Sequence, residues 1–188
     1  MRYALSQFCG GGKMKSILIV SLLALASPGF GQSKAESASS PVASTVRQIE
    51  ERQSKNLIGA ADEMPADKYS YHPTPEQMSF AHLMVHVAEA NNAWCARIAG
   101  ETPREVKLND SDSKEALSKA VKDSFAYCEQ VLAKADDSSL GTAVALPGGR
   151  TVTRAAAFIS LATGWADHYA AAAMYLRLNG LLPPSAKK

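Results

Sequence analysis

The chain has 188 residues, with 20 Lys and Arg against 18 Asp and Glu, four His and three Cys. That length suits one domain with a core large enough to fold without staples. No window clusters Lys and Arg with aromatic residues, so the electrostatic footprint of a nucleic-acid-binding protein is missing.

Lys13, Met14 and Lys15 give a basic start to an apolar run of eleven residues, Ser16 to Ala26. Ser27, Pro28 and the small residues Gly29 and Gly31 follow it. This order of features predicts a secretory signal peptide over 1–31, with Met14 as the true start and a cut after Gly31. The run is shorter than the roughly 20 apolar residues that a membrane-spanning helix needs. The mature form is therefore expected to be exported, periplasmic or secreted, without a membrane span. No Cys follows the run to carry a lipid. The cut removes Arg2, Lys13 and Lys15 and no acid, leaving 17 bases against 18 acids.

Residues 32–40, rich in Ser and Ala, read as a flexible lead-in. From Pro41 to Glu63 the pattern is helical. Val46, Ile49, Gln53, Leu57 and Ala60 recur near a 3.6 period, with Arg47, Glu50, Glu51, Arg52 and Lys55 between them. Met64, Pro65 and Ala66 end this helix. A connector over 69–75 leads to Thr74 as N-cap and Pro75 as first helical position of a second helix reaching Gly100. Phe80, Leu83, Met84, Val87, Ala90, Asn91 and Trp94 share one of its faces. A polar connection over 101–111 follows. Asp112 or Ser113 caps a third helix to about Ala135, with Leu117, Val121, Ser124, Phe125, Cys128, Val131 and Leu132 as its stripe. Residues 136–150 form a loop, in which 142–146 could be extended. Thr151 or Thr153 opens the last helix, rich in Ala, and Asn179-Gly180 before Pro183-Pro184 stops it. Four amphipathic helices without a convincing strand make an all-α four-helix bundle. It occupies 41–184, with 185–188 as a tail.

Cys9 precedes the expected start, which leaves Cys95 and Cys128 on two different helices. They either form a disulfide, as an oxidising compartment allows, or remain two small buried apolar side chains.

The four His are the candidates for chemistry. His82 and His86 are four apart, which stacks both imidazoles on one helix face within reach of one metal ion. His168, in mid-helix, could add a third nitrogen if the second and fourth helices face each other. Three His with an open position suit catalytic zinc and are compatible with nickel or iron. The plainer alternative is a chance pair whose outer member, His82, reaches solvent. His72, beside Pro73, reads as a loop residue. Glu89, one turn after His86, is either a group assisting that site or part of a solvated face. Nucleophilic catalysis finds no Gly-x-Ser-x-Gly element. Cys95 and His86, nine residues apart on one helix, are separated by about 13.5 Å along its axis.

Three segments carry a family resemblance. They are Met64 to Glu76; Ser79-Phe80 with His82 to Ala88 and Asn91, similar to a helix of the form "SF…L..H.A..N"; and Asp167-His168-Tyr169 with Tyr175 to Pro184, similar to "EHYGQ…YLR.NG..PP". The chain thus resembles the DinB/YfiT-like family over nearly all of its mature length. The resemblance implies a bundle in which the second and third helices run parallel. It also implies a divalent metal (Zn, Ni, Fe or Mn) on three His. One ligand position matches His86 and another matches His168. The third falls at Gly164, a departure at a ligand, and Ala170 and Ala171 replace the Gly-Gln that follows in the family pattern. The expected metal ligands are then His86, His168 and, as a substitute, His82. Metal-dependent hydrolase or transferase activity on an unidentified small molecule is the implied function. The alternative is a non-catalytic small-molecule or partner-binding bundle that has lost the metal. The small-residue fourth helix could equally be a dimer face.

Overall fold

The structure is a computed structural model that describes residues 40–187. The expected signal peptide and most of the lead-in lie outside the described residues.

Four long helices carry the fold: α1 (Pro41–Glu63), α2 (Phe80–Ala99), α3 (Lys114–Ala133) and α4 (Arg154–Leu178). Each begins where local chemistry can satisfy its first free N–H groups. Ser79, Ser113 and Thr153 accept from the backbone N–H groups of His82, Ala116 and Ala156. Ser40 makes no such bond. In its place Asp137, from the loop after α3, accepts from Val42 N at 2.9 Å and Ala43 N at 2.8 Å. A carboxylate there also complements the positive end of the helix dipole. Asp137→Ala is expected to cost about 1–2 kcal/mol, read from the urea midpoint. An unchanged midpoint would show that water caps α1 equally well.

The second helix starts at Phe80, not at Pro75 as its sequence suggests. Residues 74–77 close a turn, with Gln77 N donating to Thr74 O at 3.1 Å. The connector then folds back so that Phe80 N reaches Tyr71 O and Ala81 N reaches Tyr69 O. Tertiary pairing thus supplies the acceptors that an earlier helical turn would have supplied. At the other end, Gly100 takes φ 76° and its N–H closes on Arg97 and Ala96. That left-handed cap is the position where only Gly is free of Cβ strain.

The loop after α3 holds the only regular extended structure among the described residues. β1 (Ala143–Ala145) and β2 (Thr151–Thr153) pair antiparallel, with Val144 opposite Val152. The sequence suggests the first piece and hides the second, because Thr151 and Thr153 read equally well as helix caps.

Side-chain pairings give the helix directions. Asn91 meets Ser124, and Cys95 meets Cys128, so α2 and α3 run parallel. Arg47 donates to Leu132 O and Ala135 O, while Ser118 and Lys122 both reach Asp62, so α1 and α3 are antiparallel. His86 meets His168, and Met78 O accepts from Tyr175, so α2 and α4 are antiparallel. The connection over residues 100–113 is what allows α2 and α3 to run the same way. Arg47 also closes the free carbonyls at the end of α3, which has no glycine cap of its own.

The core centres on Trp165, Phe80, Phe125, Phe158, Leu57, Leu83, Met84, Leu117, Leu132 and Leu176, all fully buried. One polar node crosses it. Trp165 Nε1 donates to Asn91 Oδ1 at 2.7 Å, and Asn91 Nδ2 donates to Ser124 Oγ at 3.0 Å. The C-terminal residues are fastened to the bundle. Ser185 N donates to the Tyr169 hydroxyl, which donates in turn to Ser185 Oγ. Pro184 packs so closely on Gly59 that a Cβ there would stand 2.9 Å from its ring. Lys187 pairs with Glu63 at 2.7 Å.

Glu50 departs from its sequence reading as one of the charges between apolar positions. It is 7 % exposed. It lines a cavity of about 300 Å³ between α1 and α3 with Glu129, Lys55 and Lys122. Both lysines are paired elsewhere, Lys55 to Glu51 and Lys122 to Asp62. Burial, then the charges of Glu129 and Glu51, push the Glu50 carboxyl from 4.5 up to about 7. A raised acid pKa means that the native state keeps a proton which the unfolded chain loses first. Stability therefore falls as pH rises from about 4.5 to about 7 and then levels off, by at most about 3 kcal/mol. Glu50→Gln is expected to recover most of that at pH 8 and to change little at pH 4. Equal effects at both pH values in urea unfolding would contradict this.

Candidate metal centre

Two imidazoles meet across the α2–α4 groove. The His86 and His168 rings stand edge to face, with centroids 4.8 Å apart and planes at 88°. Helix α2 presents His86 at its exposed edge, one position before buried Val87. On α4, His168 lies three residues after Trp165 and one before Tyr169, both buried, so its ring is held half-buried. Its Nε2 points back along α4 toward Gly164. A Cβ built on Gly164 would meet nothing within 4 Å except that nitrogen, at 3.9 Å. The glycine therefore leaves an open notch, one turn before His168, in front of a free imidazole nitrogen.

Burial lowers the pKa of His168, the nearby His86 lowers it further, and Asp167 opposes the shift. The neutral, ligating form of this ring thus persists to more acidic pH than for a free histidine.

The other sequence candidates fall elsewhere. His82 does not join the pair. Its ring is about half exposed, and its Nδ1 lies 3.0 Å from Asp110 Oδ2, in the connection before α3. The competing partner is a carboxylate in a loop whose path the helical spacing does not reveal. His72 Nδ1 lies 2.8 Å from Gln77 O, and its role is to hold the turn before α2. Glu89 is exposed on α2. Among the described residues, no three His, Cys, Asp or Glu side chains come together as a metal-ligand group. Cys95 and Cys128 form a disulfide with Cα atoms 5.3 Å apart, buried behind the α2–α3 contact.

The DinB superfamily model matches residues 48–170, which include α1 from its second turn, both His of the pair and the Gly164 notch. The chain belongs to the DinB superfamily. Among solved structures, a DinB-like protein from Bacillus subtilis is 18 % identical, with a TM-score of 0.63 over 77 % of this chain and 99 % of that one. A DinB-like protein from Bacillus cereus is 14 % identical, with a TM-score of 0.62 over 75 % of this chain and 95 % of that one. A mycothiol-dependent maleylpyruvate isomerase is 15 % identical, with a TM-score of 0.57 over 68 % of this chain and 59 % of its own. At these identities the likeness concerns the fold. No curated protein matches the chain.

Imidazole nitrogens are donors that suit a divalent transition metal, and two His side chains meet here. Two donors are fewer than the three protein donors of a catalytic zinc centre with its open position. Among the described residues no helix is long and apolar enough to cross a membrane.

Proposed function

We propose that this DinB-family protein is exported and holds a divalent metal on His86 and His168, with the notch at Gly164 left open for water or a small ligand. The observation that supports this reading is that His168 Nε2 borders the notch at Gly164, where a Cβ would stand 3.9 Å from it, and makes no protein hydrogen bond among the described residues. A metal held there would act as a Lewis acid. Hydrolase or transferase chemistry on a small molecule is the reaction class that fits such an open centre. The exposed edge of His86 leaves the pair accessible from solvent. Export is supported by the Cys95–Cys128 disulfide, since such bonds persist in oxidising compartments. An exported protein also lies outside the pool of cytosolic thiols, which weighs against a thiol cosubstrate of the kind named for the isomerase.

Calorimetric titration of the mature chain with zinc, nickel and manganese tests the reading. Saturable binding is expected in the wild type, lost or weakened at least about tenfold in His86→Ala and in His168→Ala. His82→Ala should bind as the wild type does, because its ring pairs with Asp110. Absence of saturable binding by every metal would favour the second reading, a ligand-binding bundle without a metal. The lack of a three-donor group among the described residues is the observation behind that alternative.

A further inference from the structure

One cavity lies away from the histidine pair. It has a volume of about 630 Å³ and sits where the end of α2, the second half of α3 and the start of α4 converge. Its apolar floor comes from Ile98 and Val131, and Tyr127 forms one wall. Three cations line it: Arg104, Lys134 and Arg154.

The charges around this cavity are unevenly satisfied. Its two acids are committed, Glu101 to the Tyr127 hydroxyl at 2.8 Å and Asp123 to Lys119. None of the three cations makes an ion pair among the described residues. Arg104 stands over the Tyr127 ring at 5.5 Å, which orients its guanidinium but does not neutralise it. Arg154 gives one N–H to the neutral Ser139 hydroxyl at 2.8 Å. Its Nε is buried with no hydrogen-bond partner, the one such side-chain atom among the described residues. Asp136 feels the charge of Arg154 but makes no ion pair with it, and its Oδ1 accepts from the Ser138 N–H and hydroxyl. Buried polar groups are nearly always satisfied, and one that is not calls for a reason.

A guanidinium anchored on one edge, a second stacked on an aromatic ring and an ammonium, all around one cavity, suit a ligand with several anionic oxygens. The geometry points to a binding site in this cavity for a small organic anion whose carbon skeleton carries phosphate or carboxylate groups with several anionic oxygens. The site is independent of the histidine pair: among the described residues, no hydrogen bond or ring contact joins a residue lining this cavity to His86 or His168. Arg154 and Arg104 hold the oxyanions, Lys134 supplies long-range attraction, and the tyrosine wall takes the carbon skeleton.

The test is calorimetric titration of the metal-stripped mature chain at low ionic strength with citrate, glycerol phosphate and inorganic phosphate. Saturable binding of citrate or glycerol phosphate is expected, weakened about tenfold or more by Arg104→Gln and by Arg154→Gln. His86→Ala should leave it unchanged, which separates this site from the metal centre. Exposed Lys134→Gln, which removes a surface charge without touching the core, should weaken binding by a smaller factor if Arg154→Gln fails to fold. Tighter citrate than glycerol phosphate identifies a carboxylate site, and the reverse order a phosphate site. No saturable binding of any of the three up to about 10 mM, or binding that persists in all the cavity variants, overturns the proposal. Binding of inorganic phosphate alone also overturns it, since that needs no cavity for a carbon skeleton.

Discussion

Gly164→His is expected to tighten zinc binding about 100-fold, close to 2.7 kcal/mol. Residues 164 and 168 are one helical turn apart, so a histidine at the first projects beside a histidine at the second. The backbone has room for a side chain to start there, because a Cβ at Gly164 would meet His168 Nε2 only at an ordinary contact distance of 3.9 Å. The substitution would convert two nitrogen donors into three, with a position left for solvent. Replacing a mid-helix glycine also stabilises the helix whether or not metal is present. Gly164→Ala separates the two effects: it should raise stability by up to about 1 kcal/mol and leave zinc affinity unchanged. If Gly164→His and Gly164→Ala titrate alike, the notch is not beside the metal position. The reading of His86 and His168 as a remnant of a larger ligand set then fails.

That glycine also shows how far the sequence could be read. The helices, the parallel run of α2 and α3, and the pairing of His86 with His168 follow from periodicity, from caps at Ser113 and Thr153, and from the family resemblance. These are local signals, or signals fixed by the fold. His82 stands apart from that pair for a different reason. Its spacing from His86 is right for a shared metal, but the connection over 101–113 brings Asp110 to its ring, and no helical period encodes that path. The start of α2 differs likewise: Thr74 and Pro75 are good caps in isolation, and the hydrogen bonds that Tyr71 O and Tyr69 O accept from Phe80 N and Ala81 N outweigh them. Glu50 was legible in principle. It lies four residues after Val46 and three before Gln53, on the face that packs against α3, and its charge hid that position. The cavity at Arg104 and Arg154 was invisible, since it draws on α2, α3, α4 and a connection at once.

Reducing the Cys95–Cys128 disulfide is expected to destabilise the bundle by about 3–4 kcal/mol. The bond spans 33 positions, and a cross-link over a loop of that length removes conformational entropy from the unfolded chain on that scale. For a domain of this size the loss corresponds to roughly 10 °C in Tm. The effect should concentrate on the α2–α3 contact, because the bond lies one turn beyond the Asn91–Ser124 hydrogen bond. Paired Cys95→Ala and Cys128→Ala should reproduce the loss in oxidising buffer, and a reductant should then have no further effect. The same bond bears on export. Protein recovered from the periplasm should show no reactive thiol after denaturation, whereas protein made in a reducing cytosol should show two from this pair and unfold at the lower temperature. Two reactive thiols in the periplasmic form, or a Tm indifferent to reductant, would remove the disulfide from the stability of the fold and, with it, the structural support for an oxidising compartment.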